Sequence, residues 1–130
     1  MSLVSTPMSI GELLDKITIL EIKAVKISDE AKLKNINYEL DLLSETWADT
    51  KLNNGKIDEL KAALKTVNQK LWHIEDQIRI LEKHQQFDDE FIELARSVYF
   101  VNDDRANIKK EINTITGSAL VEEKSYESYQ

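Results

Sequence analysis

Four polar side chains near the end of the chain recur at helical spacing, and they therefore share one side of a predicted helix: Tyr99, Asn102, Arg105 and Lys109. Arg105 occupies a position in a series of residues that is otherwise apolar. A buried guanidinium must be paired with an anion, because an uncompensated buried charge is strongly unfavourable. Asn68, from the preceding predicted helix, is expected to lie near Arg105.

This polar group has two interpretations. In one, Arg105 lines a pocket for a phosphate or carboxylate, since the guanidinium binds such groups through two parallel hydrogen bonds. In the other, which we favour, Arg105 makes an internal ion pair or a polar layer that sets the register of packed helices. The candidate ligand-binding residues of the first interpretation are Asn68, Tyr99, Asn102, Arg105 and Lys109.

Pairs of carboxylates suggest a further possibility, magnesium chemistry. Helical nucleotide pyrophosphatases hold Mg²⁺ with acids three residues apart on neighbouring helices, and this chain has Glu12 with Asp15, and Glu90 with Glu93 near Asp104. However, 24 acidic residues in a helical chain produce such spacings by chance. We therefore predict no metal site.

The remaining residue types give no catalytic set. His73 and His84 lie about 16 Å apart at a rise of about 1.5 Å per residue, too far to bind one metal ion. There is no cysteine, which excludes thiolate chemistry and zinc–sulfur sites. We predict no cofactor, and we expect a protein without enzymatic activity while keeping an enzyme as an alternative.

The elements that position these residues are helices. Only three glycines and one proline interrupt the 130 residues, which indicates few turns and long elements. Apolar residues at alternating spacings of three and four predict helices at 9–26, 29–52, 56–85 and 88–116, followed by an extended tail at 118–130. The predicted fold is an all-α antiparallel bundle of about four helices, in one domain spanning 1–130.

The third and fourth predicted helices are joined by a very short turn and must therefore lie antiparallel. Their unbroken apolar seams are typical of a coiled-coil-like hairpin. Folding the chain about residue 86 matches opposite charges across the hairpin: we expect Arg79 to face Glu93, Arg96 to face Asp76, and Lys70 to lie near Asp103.

The first predicted helix is apolar on most sides, so we expect it to be central or to face a second copy of the chain. Ile19 and Ile22 lie outside its main apolar stripe. Trp72 likewise lies outside the seam of the third helix, where it either packs against the first helix, which we favour, or marks an interface hot spot. Ile19, Ile22 and Trp72 are the candidate interface residues.

The overall charge restricts the partners. A net charge of −7 repels phosphate backbones, so we expect no nucleic-acid partner. The first residues lack the pattern of a signal peptide, and no apolar run approaches the roughly 20 residues of a membrane helix. We expect a cytoplasmic protein that does not enter a membrane.

Four segments occur together in the chain: GELLDKITILEIK at 11–23, LWHIED at 71–76, ELARSVY at 93–99 with Asn102, Asp103 and Arg105, and EEKSY at 122–126. Together they resemble a bacterial and phage family of small helical proteins of unknown function. The resemblance implies no activity, cofactor or catalytic residue. Members of that family are sometimes found near sugar-transfer and cell-surface polysaccharide proteins, which suggests a context.

The sequence thus predicts a non-enzymatic helical module that self-associates, as a dimer, and that binds another protein. The alternatives are a protein that binds a small anion such as a sugar phosphate or nucleotide, and a magnesium-dependent enzyme resembling nucleotide pyrophosphatases.

Overall fold

The computed structural model describes residues 2–129, in which four helices and no strand occur: α1 (Ile10–Lys26), α2 (Glu30–Thr50), α3 (Gly55–Lys83) and α4 (Asp89–Thr116). The predicted all-α fold is confirmed. The largest differences from the predicted bounds are at the ends of α2 and α3, which were expected at 52 and 85. An extended C-terminal tail follows Gly117; its predicted last residue, Gln130, and the predicted first residue of the domain, Met1, lie outside the described residues.

Each helix has an N-cap residue whose side chain accepts a hydrogen bond from a backbone N–H of the first turn. These residues are Ser9 for α1, Asp29 for α2, Asn54 for α3 and Asp88 for α4. Asn54 is the residue that caps α3, and Gly55 is the first residue of that helix. The left-handed residue that ends α2 is Lys51, with φ of 56°.

Helix α1 packs against all three other helices. It is therefore central, which is one of the two positions that the sequence predicted for it. The most extensive contact is between α3 and α4. The apolar core forms where α1 meets the ends of the other helices, and its buried members are Leu13, Leu14, Ile17, Trp47, Ile57, Leu60, Leu64 and Ile112.

The hairpin of α3 and α4 extends beyond α1. Helix α1 has 17 residues, whereas α3 and α4 have 29 and 28. Seam residues that α1 covers are fully buried, as Leu64 and Ile112 show. At the turn of the hairpin, by contrast, Phe87 is 52% exposed. Part of the hairpin therefore lacks a third layer.

The hairpin is antiparallel as predicted, but the two arginines expected to face acids across it form their ion pairs elsewhere. Arg79 binds Glu75 at 3.4 Å and Arg96 binds Glu93 at 3.4 Å, each within its own helix. Pairs three or four residues apart are neighbours on any helix, so these exposed arginines find a partner without crossing the seam.

Helices α1 and α4 approach closely at Gly11. The Gly11 N–H donates to Oδ1 of Asn113 at 2.6 Å. A Cβ atom at Gly11 would lie 2.6 Å from the carbonyl oxygen of Lys109, which is backbone and cannot move independently of α4. Only glycine permits this approach, because it has no Cβ.

We predict that Gly11→Ala destabilises the fold by about 1–3 kcal/mol, since the added methyl forces α1 away from α4. The matched control is Gly55→Ala, also near a helix start, where an added Cβ meets no atom within 4 Å. That variant should be neutral or stabilised by up to about 1 kcal/mol. Urea unfolding monitored by circular dichroism measures both; equal effects would contradict the close approach.

Candidate functional site

The most deeply buried charge is the carboxylate of Asp15 on α1, which is 0% exposed. The guanidinium of Arg105, on α4, forms a bidentate ion pair with this carboxylate: Nε donates to Oδ1 at 2.9 Å and Nη2 donates to Oδ2. Asn68 of α3 donates from Nδ2 to the same Oδ1 at 2.9 Å. One carboxylate therefore joins three helices.

Helix spacing explains why Asp15 points inward. Gly11, Asp15, Thr18 and Ile22 follow one another at steps of four, three and four, and all four are buried on the side of α1 that faces the hairpin. The Thr18 hydroxyl accepts from Asn68 Nδ2 at 2.9 Å and donates to the Asp15 carbonyl oxygen at 2.8 Å. The polar atoms around the carboxylate thus satisfy one another, as a buried network requires.

The second cation beside Asp15 is Lys109, which is buried one turn farther along α4. Its side chain is 8% exposed, and its Nζ contacts Glu12 at 2.7 Å, Glu122 at 2.8 Å and Asp15 at 3.7 Å. Glu122 comes from the tail, so this lysine fastens the tail to the bundle. We call Glu12, Asp15, Asn68, Arg105, Lys109 and Glu122 the Asp15 network.

The charges in this network shift one another's pKa. Burial opposes the charged form of Lys109, but its hydrogen bonds to Glu12 and Glu122 outweigh that effect and raise the pKa of Lys109. The hydrogen bond to Asp15 raises the pKa of Arg105. In the opposite sense, the hydrogen bond from Lys109 lowers the pKa of Glu122 below its ordinary value of 4.5.

Three of the five predicted ligand-binding residues meet in this network: Asn68, Arg105 and Lys109. The internal ion pair expected for Arg105 is present, with Asp15 as its anion. Tyr99 lies elsewhere and packs against Phe100 and Tyr129. Asn102 is partly buried but takes no part in the hydrogen bonds around Asp15.

Sequence reasoning missed the structural role of the acids. Glu12 and Asp15 were considered as magnesium ligands, whereas their partners are the protein's own cations. Among residues 2–129, no group of three or more His, Asp or Glu side chains is arranged to hold a metal ion. The sequence did contain a sign that Asp15 is buried: it lies at helical spacing from Gly11, Thr18 and Ile22, which are buried residues of α1.

A groove of about 370 Å³ opens beside the network, where α1 ends against α3. Its apolar wall consists of Ile19 and Ile22 of α1 with Leu71 and Trp72 of α3. Asn68 and Arg105 also line it, and charged side chains surround it: Lys23, Glu75, Asp76 and Arg79.

All three predicted interface residues line this groove. Trp72 and Ile19 are half-buried, while Ile22 is 3% exposed and so contributes mostly to the wall beneath. Trp72 lines the groove together with Ile19 and Ile22 of α1 and is only partly buried. The groove therefore presents apolar surface beside a guanidinium.

A family model matches residues 4–129, which is nearly the whole chain. The chain belongs to DUF6165, a family of unknown function. No curated protein and no solved structure matches it. In this DUF6165 protein, no described helix has both the length and the apolar character required to cross a membrane.

We predict that Asp15→Asn lowers the free energy of unfolding by about 3 kcal/mol or more, because it leaves the Arg105 guanidinium without its counter-charge at the junction of three helices. The control is Glu39→Gln, which removes a carboxylate from an exposed pair with Lys16 at 3.0 Å. Such a pair contributes about 0–1 kcal/mol. Urea denaturation compares the two; similar losses would contradict the role of Asp15.

A second prediction concerns pH and the tail. Because the pKa of Glu122 is lowered in the folded protein, its contribution to stability is present above pH 4.5 and is lost as the pH falls through the lowered pKa. NMR signals of the tail should therefore move toward those of a free chain in acid. In Glu122→Gln they should show the free-chain values already at pH 7; a tail that stays docked in this variant would contradict the prediction.

Proposed function

We propose that this DUF6165 protein is a non-enzymatic helical interaction module that forms a homodimer through the groove face. The groove face comprises Ile19, Ile22, Lys23, Leu71, Trp72 and Asp76, which all line the groove. The observation that carries the proposal is the half-buried Trp72 that lines the groove beside Ile19 and Leu71. Tryptophan that lines a partly open apolar surface is enriched among residues that dominate interface energies.

The charges around Trp72 favour a second copy as the occupant. Lys23 and Asp76 both line the groove, and among residues 2–129 neither has an ion-pair partner within 4.0 Å. A two-fold axis through the groove would bring Lys23 of each copy toward Asp76 of the other. Such a surface is complementary to itself, which is the requirement of a symmetric dimer.

The anion-binding alternative has weaker support. Within the network, the cations Arg105 and Lys109 already meet three carboxylates, from Glu12, Asp15 and Glu122. An incoming sugar phosphate or nucleotide would have to compete with them. One observation still favours this alternative: the Arg105 side chain is 29% exposed at the groove, and only its Nε and Nη2 groups donate to Asp15. A pyrophosphatase-like activity has no comparable support.

The cellular setting of the proposed dimer rests on the sequence alone. We propose a cytoplasmic protein of bacterial or phage origin that acts near cell-surface polysaccharide synthesis and binds another protein there. The coiled-coil-like seams of α3 and α4 fit a role in such protein–protein contacts.

A charge exchange tests the dimer. Lys23→Asp and Asp76→Lys should each weaken dimerisation tenfold or more, because each brings like charges together across the axis. The double variant restores opposite charges and should dimerise within about threefold of the parent. Light scattering and sedimentation at micromolar concentrations measure the association.

Two variants serve as controls in this test. Lys34→Asp, on the exposed side of α2, makes the same charge change away from the groove and should leave the dimer intact. Trp72→Ala should give a folded monomer. A parent chain that stays monomeric at 100 µM, or a double variant no better than the singles, would refute the proposal.

A further inference from the structure

A second concave surface lies on the other side of α4, where the end of the tail folds back. We call it the tyrosine hollow; it has a volume of about 550 Å³. It is lined by Tyr99 and Asp103 of α4 and by Lys124, Tyr126, Glu127 and Tyr129 of the tail. None of these residues belongs to the Asp15 network or to the groove face.

Aromatic rings dominate this hollow. The ring centroids of Tyr99 and Tyr129 are 5.0 Å apart, and Phe100 lies 5.0 Å from Tyr129 and 4.8 Å from Tyr99, so the three rings form one cluster. The Tyr129 hydroxyl donates to Asp103, which raises the pKa of Tyr129 to about 12. This hydrogen bond holds the Tyr129 ring against α4.

Three tyrosines nevertheless leave much of their surface to solvent around one space: Tyr99 is 40% exposed, Tyr129 46% and Tyr126 81%. Burying exposed rings is favourable for a ligand that can use their faces. The faces of aromatic rings carry negative potential and therefore attract cations.

The charged residues of the hollow also favour a cationic ligand. Asp103 and Glu127 contribute two negative charges and Lys124 one positive charge. The Lys124 ammonium lies 5.6 Å from the centroid of the Tyr126 ring, so one ring of the hollow already receives a cation of the protein itself. An external cation would meet an excess of carboxylate, and it would compete with Lys124 for the exposed Tyr126 ring.

We propose that the tyrosine hollow binds a small alkylammonium cation, such as a quaternary amine. Methyl groups on nitrogen spread the charge over an apolar surface, which matches ring faces better than it matches water. The carboxylates of Asp103 and Glu127 supply the counter-charge. A bare metal ion fits less well, because it needs several oxygen ligands around it, and no three acidic or histidine side chains of residues 2–129 are so arranged.

Choline and its uncharged isostere 3,3-dimethyl-1-butanol form the first test. Titration of the full chain with each, followed by the NMR signals of the tyrosine rings, should show saturable shifts with choline and at least tenfold weaker binding of the alcohol. Phosphocholine should bind less well than choline, since its phosphate meets Asp103 and Glu127. Equal binding of choline and the alcohol, tighter binding of phosphocholine, or no response to choline would overturn the proposal.

Variants then locate the site. Tyr126→Leu should weaken choline binding at least fivefold, whereas Tyr126→Phe, which keeps the ring, should stay within about twofold. Lys124→Gln should tighten binding, because it removes the resident cation. Tyr38→Leu removes an exposed tyrosine of α2, far along the chain from the hollow, and should change nothing. Since Tyr126 is 81% exposed, its variants should keep the melting temperature of the parent; unchanged choline affinity in Tyr126→Leu would refute the site.

Discussion

The buried carboxylate of Asp15 is the constraint on which the arrangement of this bundle depends. A carboxylate removed from water is strongly unfavourable unless cations and hydrogen-bond donors surround it. In this chain the donors come from two other helices, Asn68 on α3 and Arg105 on α4. Apolar surfaces alone would allow α1 to slide or rotate on the hairpin, whereas the ion pair permits one position.

The position of α1 on the hairpin determines both candidate binding surfaces, the groove face and the tyrosine hollow. With Asp15 in place, Ile19 and Ile22 come to lie beside Leu71 and Trp72, and the groove forms between them. On the opposite side, Lys109 binds Glu122 and so directs the tail along α4 toward Asp103. The groove face and the tyrosine hollow thus depend on the same charges, although they share no residue.

Much of the fold follows from local sequence. Cap residues such as Asp88, the apolar periodicity and the short turn near Gln86 determine where the helices lie and that α3 and α4 are antiparallel. Burial also required that Arg105 have an anion. These inferences depend on residues that are close together in the chain or on general rules of burial, so a single sequence is sufficient to make them.

The partners of the charges were harder to predict. Asp15 and Arg105 are separated by 90 residues, and nothing local shows that they meet. Arg79 and Arg96 each had acids available on both helices of the hairpin. Both side chains are long and exposed, and each binds an acid three or four residues away in its own helix. In the tail, Leu120 and Val121 remain 46% exposed, whereas Glu122 binds the buried Lys109 at 2.8 Å. Its position depends on a lysine that only the folded bundle buries.

A double-mutant cycle on Asp15 and Arg105 tests the central claim most directly. Free energies of unfolding are measured for the parent, Asp15→Asn, Arg105→Gln and the double variant. If this ion pair fixes α1 on the hairpin, the two substitutions are strongly coupled, by about 2–3 kcal/mol, and the double variant loses far less than the sum of the singles. Additive losses would contradict the account, because α1 would then be held by apolar packing alone.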